Sequence, residues 1–429
     1  MYQALYEQKK ATPQQVAAQF QSQWVCAADT ALAAPRAIYE ALGQRLATQG
    51  LTGLVLHGFL DLFEFPSYNP AYASGIQGVS WFSGSSGRRA VGAGLCDIMP
   101  THYRDAPGLV RDYLAFDAFC ATVSPMDAHG FFSTGCSASL TPAMLAKSKH
   151  VFLEVNRHMP RALSGPVIHV SQVSALCENH QPLLTLPAVT PDPTSQTIAG
   201  LIAQEIPNGA TLQFGIGAIP NEVAKALTHK RDLGIHTEML TDGMIELLAC
   251  GAVNNSLKPI HTGQTVATFA LGSQAMYDYI HDNPQVQMLP VDYVNDPATI
   301  AKHDNFVSVN AAVEVDFFGQ VSAESIGTKH ISGSGGQADF VRGALQSKGG
   351  KSFIAFSATT KGGKVSRVVP TLTPGSIVTT LKNEVDYLVT EYGLAKMRGN
   401  SLGERTRQLI AIAHPDFREG LKAAAKQWF

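Results

Sequence analysis

An excess of charge of one sign, metal-ligand spacings, paired cysteines and long apolar runs are all missing from this 429-residue chain. Lysine plus arginine (32) nearly balance aspartate plus glutamate (34), so no broad basic face for nucleic acid or anionic membrane is expected, and an anionic ligand must be held locally. Charged residues make up only 15% of the chain and hydrophobic ones 45%, the balance of a globular enzyme rather than a disordered or fibrous chain. No run approaches the roughly 18 apolar residues of a membrane span, and the N-terminal stretch MYQALYEQKKATPQQVAAQF has no apolar segment of signal-peptide length. A cytoplasmic protein is expected. The six cysteines (Cys26, Cys96, Cys120, Cys136, Cys177, Cys250) form no C-x-x-C pair, which argues for reduced thiols rather than a disulfide or zinc framework. The fourteen histidines show neither H-x-x-x-H nor H-E-x-x-H spacing, so no metal site is expected.

What is present is a chain of two-domain length. The proline-rich stretch LPAVTPDPTSQ, with Pro187, Pro191 and Pro193, stops helices and ladders alike and divides it, giving expected domains 1–187 and 188–429. Both halves follow one plan. In the first, WVCAADTALAAPRAIYEAL reads as strand, small-residue loop, Pro35 and amphipathic helix, followed by the strand TGLVLHGF; in the second, TLQFGIGAIPNEVAKAL repeats it with Pro220 at the helix start and IHTEML as the next strand. Further on, SPMDAHGFFSTGCSASL with SKHVFLEVN parallels VDFFGQVSAESIG with GGKSFIAFS, and PVIHVSQV parallels SIVTTLKNEVDYLVTE. Short apolar strands alternating with helices predict two tandem, similar open α/β domains with largely parallel sheets, whose ligands sit where strand C-termini enter loops.

Three such loops carry candidate chemistry. Gly215-Ile216-Gly217-Ala218-Ile219-Pro220-Asn221 follows a strand and opens a helix, so its free N–H groups form a cradle for negative charge. The same loop is one glycine short of the dinucleotide fingerprint, and Glu238 falls about where a ribose-binding acid would sit; an NAD-binding oxidoreductase and a plain structural turn both remain open on local pattern. Glu238 ends an apolar strand before the turn signal Thr241-Asp242-Gly243, a carboxylate at a strand edge. The cluster Ser332-Gly333-Ser334-Gly335-Gly336-Gln337 lets backbone approach a ligand closely before helix patterning resumes at ADFVRGAL, against the plainer reading of a surface loop. Gly215, Gly217, Gly335 and Gln337, with Lys361 and Lys364 on a further glycine turn, are the candidate ligand-contacting residues. Arg88, Arg89, Arg342 and Lys348 are further cations for phosphate, and Phe82, Met239 and Phe318 are candidates for shaping a ligand pocket.

Taken together, GIGAIPNEV, HTEMLTDG, PVDYVNDP, SVNAAVEVDFFGQVSAESIG, GSGGQADFVRGALQSKGGKSFIAF, TKGGKVSRVVP and TEYGLAKMRGNSLGERTRQLIAIAHPDFRE resemble the acetyl-CoA hydrolase/transferase family, near its 4-hydroxybutyrate and butyryl-CoA:acetate CoA-transferases. The resemblance implies Glu238 as the nucleophilic carboxylate, the backbone of Ile216 and Gly336 as the oxyanion hole, and Asn310 and Glu391 as auxiliary polar residues. It also implies a homodimer, acyl-CoA and short-chain carboxylates as ligands, and coenzyme A as substrate and covalent intermediate with no permanently bound cofactor. The expected reaction is ping-pong exchange of CoA between a short-chain acyl-CoA and a carboxylate such as acetate, with acyl-CoA hydrolysis on the same residues as the alternative.

Overall fold

The computed structural model describes residues 2–187, 190–360 and 362–428, so Ala188, beside the expected domain boundary, and Lys361 lie outside the described residues. The chain forms two compact units, one of residues 1–186 with 266–294 and one of residues 187–265 with 295–429. A single cut at 187/188 therefore leaves out the return of 266–294 to the first unit. That return is built on backbone pairing: Ala138 N–H donates to Thr268 O, and Ala270 N–H to Cys136 O, each at 2.8 Å.

The first unit holds a seven-stranded sheet of β1 (Val25–Ala28), β2 (Leu54–Phe59), β3 (Ile76–Phe82), β4 (Cys96–Ile98), β5 (Phe116–Val123), β6 (Ser148–Val155) and β7 (Ala175–Glu178). Its spatial order is β4-β3-β2-β1-β5-β6-β7 and every pairing is parallel. A parallel sheet needs cover on both faces, and the sequence supplies it by alternation. Cys26, Ala28, Ala118, Cys120 and Phe152 enter one core, packed with Ile38, Tyr39 and Leu42 of helix α1 (Arg36–Gln49). Ala27, Phe119, Ala121 and Leu153 enter the other. Five of the six cysteines are buried, and Cys250 alone is exposed.

The second unit holds β8 (Thr211–Phe214), β9 (Gly234–Ile235), β10 (Phe306–Ala311), β11 (Lys351–Ala355), β12 (Tyr387–Thr390) and β13 (Gly393–Lys396) in the order β9-β8-β10-β11-β12-β13. All pairings are parallel except the edge hairpin of β12 with β13. The order β9-β8-β10-β11-β12 repeats β2-β1-β5-β6-β7 strand for strand, so the chain contains two copies of one open α/β plan.

Two details differ from the sequence reading. The counterpart of β12 is β7, not PVIHVSQV, whose Val167–His169 instead pairs antiparallel with Phe131–Ser133. IHTEML is not one strand: β9 stops at Ile235 and a short strand resumes at Met239–Leu240. Between them the Thr237 hydroxyl donates to Met239 O at 3.1 Å, and a side chain serving nearby backbone in this way competes with a continuous ladder.

Candidate active site

Glu238 and the Gly215–Gly217 loop follow strands of the second sheet at their C-terminal ends, where parallel α/β sheets expose loops and helix N-termini. Asn295 reaches the site from between the short helices Val291–Val294 and Pro297–Ile300. Glu238 sits in the break after β9. Its half-buried side chain has Oε2 accepting from Asn295 Nδ2 at 2.7 Å, while Gly336 N–H donates to the same carboxylate. Asn295 is fully buried, and its Oδ1 has no partner among the described residues. Burial pushes the Glu238 carboxyl up from 4.5 to about 7, against the opposing pull of the Asn295 and Gly336 hydrogen bonds. A carboxyl poised there exchanges between acid and carboxylate at neutral pH.

The three residues meet for local reasons. Thr241-Asp242-Gly243, expected as a turn, opens helix α2 (Asp242–Ala249) with Thr241 extended at its N-cap. A β-carbon at Gly243 would stand 2.7 Å from Ala224 Cβ of the helix Ala218–Ala226, so this glycine serves helix packing, not a turn. Gly336 caps the helix Gln337–Gln346, and Gly335 before it takes φ +56°. A β-carbon at Gly336 would collide with Glu238 Oε2 and Asn295 Nδ2, so only glycine admits this approach.

Beneath Glu238 lies a buried basic cluster. Lys258 Nζ donates to Ile235 O at 2.8 Å and Gln264 O at 2.6 Å, which fixes the end of β9. No carboxylate among the described residues offsets its burial, which lowers the ammonium from 10.5 to about 7. The rings of His236 and His303 lie 4.9 Å apart nearby, and burial brings His303 down to about 3, so it is a neutral imidazole.

A cavity of about 550 Å³ opens elsewhere in the same unit, and neither Glu238 nor this cluster lines it. Gly215, Ile216 and Gly217 line it, with Asn310, Glu391 and Arg367. Gly217 caps the helix Ala218–Ala226 at φ +122°, a conformation open to glycine, and Ile216 stays 47% exposed. Asn310 Nδ2 approaches Gln213 Oε1 at 3.4 Å, and Glu391 Oε2 accepts from Ala358 N at 2.9 Å.

The expected residues thus fall into two groups. Gly336 meets Glu238; Ile216, Asn310, Glu391, Gly215 and Gly217 line the cavity. Gln337 sits at the helix start beside Gly336, its amide donating to Thr380 Oγ1 at 3.1 Å. Lys364 is exposed and outside the cavity wall, although Gly362 and Gly363 before it belong to that wall. Arg342 is committed to Glu384 at 2.7 Å and Lys348 is exposed. In the first unit, Arg89 leans on Ser86 Oγ in the same helix as Arg88. Phe82, Met239 and Phe318 do not line the cavity; Phe318 packs edge-to-face on Trp428 at 5.3 Å. Two residues escaped the sequence reading. Asn295 lay in the quoted segment PVDYVNDP, where an asparagine before Asp-Pro reads as a turn, and Arg367 lay in TKGGKVSRVVP behind more conspicuous lysines.

A carboxylate held by a backbone N–H, at the strand ends of a duplicated parallel α/β fold, fits an acyl-transfer site of the CoA-transferase class. Residues 1–187 match the acetyl-CoA hydrolase/transferase N-terminal domain and residues 272–425 the C-terminal domain of that family, and the chain belongs to it. It is 45% identical to the succinyl-CoA:cyclohexane-1-carboxylate CoA transferase of Geobacter metallireducens, over 99% of this chain and 97% of that one. It is 46% identical to the 4-hydroxybutyrate coenzyme A transferase of Clostridium kluyveri, over 81% of each. The crystal structure of RipA from Yersinia pestis superposes with a TM-score of 0.94 at 37% identity, covering 100% of this chain and 99% of that one.

Proposed function

We propose that this chain, an enzyme of the CoA-transferase class, exchanges CoA between a short-chain acyl-CoA and a free carboxylate through covalent intermediates on Glu238. The donors are of butyryl, 4-hydroxybutyryl or acetyl size and the partner acid is of the acetate kind, as the names of the relatives suggest. One observation carries the reading: Glu238 Oε2 lies against Asn295 Nδ2, and Gly336 N–H donates to the same carboxylate, in a niche that no β-carbon could share.

In the first step the Glu238 carboxylate attacks the thioester carbonyl, the C–S bond breaks, and an acyl-glutamyl anhydride and CoA thiolate result. The thiolate then attacks the glutamyl carbonyl, expelling the first acid as its carboxylate and leaving a glutamyl-CoA thioester. An incoming carboxylate runs the two steps in reverse. Every attack on the glutamyl carbonyl puts negative charge on a Glu238 oxygen, and Gly336 N–H already points at that carboxylate. The Ile216 backbone, in the loop lining the cavity, is assigned to the oxygen of the acyl carbonyl, and Asn310 and Glu391 to orienting the substrate. Gly215, Gly217, Gly335 and Gln337 are assigned to close backbone contact with the coenzyme.

The test is intact and peptide mass spectrometry after mixing with butyryl-CoA or acetyl-CoA. A CoA adduct on the Glu238 peptide, absent from Glu238→Ala, is expected. An active enzyme without the adduct, or an active Glu238→Ala, would return the site to direct hydrolysis or to another nucleophile.

A further inference from the structure

A buried carboxylate that the reaction steps do not use stands behind the glycine loop that carries Gly336. Glu324 is buried, and both its backbone and its side chain serve that loop. Its backbone oxygen accepts from Ile331 N at 2.8 Å and from Ser332 N at 3.3 Å. Its carboxylate accepts from Ser334 Oγ, at 3.3 Å through Oε1 and 3.2 Å through Oε2, and from Thr379 Oγ1 at 2.9 Å. Among the described residues this carboxylate meets hydroxyls and no cation. Neutral hydroxyls offset only part of what it costs to take a carboxylate out of water, so folding alone does not call for a glutamate here.

The chemistry of these contacts fixes their direction. A carboxylate only accepts, so the Ser334 hydroxyl must donate into Glu324; the Thr379 hydroxyl does the same while receiving Ala323 N at 2.9 Å. Thr379 and Thr380 are themselves laced to Val321: both N–H groups donate to Val321 O, at 2.8 and 3.2 Å, and Val321 N donates to Thr380 O at 3.1 Å. Thr380 Oγ1 in turn receives the Gln337 amide at 3.1 Å. The loop is therefore gripped at Ser334 and again at Gln337. Only Gly335, at φ +56°, and Gly336, at φ −96°, lie between the two grips, and the peptide joining them carries the N–H that meets Glu238. Two glycines set no direction by themselves, so the aim of that N–H comes from its neighbours.

We propose that Glu324 is a positioning residue: through Ser334 it fixes the Gly335–Gly336 peptide so that the Gly336 N–H is aimed at the Glu238 carboxylate. It acts through the loop and not on the reacting atoms. The inference rests on the CoA-transferase reading for its effect on turnover, whereas the aim itself belongs to the resting enzyme. Loss of the Ser334 grip lets the peptide swing, and a displacement of about 1 Å is enough to cost a site much of its rate.

The experiment uses the full-length enzyme with Glu324→Ala, Glu324→Gln and Ser334→Ala, and reads the Glu238 carboxyl directly by carbon-13 NMR of glutamate-labelled protein, its signal assigned with Glu238→Gln. The Gly336 and Asn295 hydrogen bonds favour the charged form of Glu238 against burial, and no charged side chain among the described residues, Lys258, His236 and His303 included, adds to them. The Glu238 titration midpoint is expected to rise by about half a unit to one unit in Ser334→Ala and Glu324→Ala, and by less in Glu324→Gln, which keeps one acceptor oxygen. With butyryl-CoA and acetate at a pH well above that midpoint, kcat is expected to fall about tenfold or more, with KM within about twofold of wild type. A midpoint that stayed in place in a variant with a cooperative melt would overturn the inference whatever the rate did. A normal kcat, or a loss carried by KM, would overturn it as well. Should Glu324→Ala fail to fold, Ser334→Ala still decides, because it keeps both backbone bonds of Glu324 and its contact with Thr379. If the wild type moved no CoA, the transferase reading would fail by itself and the NMR titration would still decide the inference.

Discussion

At the scale of single residues, the decisive quantity is the proton on Glu238. Its folded pKa of about 7 lies above the ordinary 4.5, so over that interval the unfolded chain gives up a proton that the folded one keeps. Folding stability therefore falls as pH rises from about 4.5 to about 7 and is level above, while the carboxylate form grows over the same range. For kcat/KM we expect a tenfold rise per pH unit below about 7 and a plateau above it. Asn295→Ala removes a hydrogen bond that favours the charged form, so its acid limb should move up by roughly one to two units. A pH–rate profile for the two proteins checks both points, and a limb that stayed in place would mean Asn295 has no hold on the charge. Glu238 stood out in the sequence through the family motif around it, since on local pattern an acid at a strand edge reads as readily as a solvated loop residue. Asn295 did not, because its role exists only through a contact with a residue far away in the chain.

At the scale of elements, the site is made from helix starts that follow strand ends. The two glycine loops were legible as places where a helix begins, while their use stayed open on local pattern. Their partners were not: the local pattern says that Gly336 is permissive, and only the packing shows that its missing β-carbon is the space Glu238 and Asn295 occupy. Gly336→Ala should therefore leave the helix Gln337–Gln346 intact while costing at least about a hundredfold in turnover, as loss of an oxyanion donor does elsewhere. Circular dichroism beside steady-state kinetics checks this; near-normal turnover in the variant would remove Gly336 from the mechanism. The break in IHTEML was misread because its apolar pattern suits a strand, whereas the Thr237 hydroxyl and the Lys258 ammonium, which shape and fix the backbone there, are long-range or local polar effects that apolar periodicity does not register.

At the scale of the whole molecule, the duplication could be read from the order of strands, loops and helices, because each copy repeats the same local signals. The return of residues 266–294 to the first unit could not, since it depends on backbone bonds to residues around Cys136 and Ala138. Phe269, Met276, Tyr277, Ile280 and Val291 of that segment are buried, so separating the chain at 187/188 strands them. Fragments 1–187 and 188–429 produced alone should aggregate or bind hydrophobic dyes strongly, as judged by size-exclusion chromatography and dye fluorescence. A monodisperse 188–429 fragment with a cooperative melt would contradict this. The distribution of thiols over the same architecture has a practical side. Five are shut inside, where burial pushes those of Cys26, Cys96, Cys120, Cys136 and Cys177 upward and keeps them protonated. Cys250 is exposed at the end of α2, the helix that begins just beyond Glu238. A maleimide dye applied to the unmodified enzyme therefore lands on one position, and its emission gives a built-in optical report on the helix next to Glu238 during turnover.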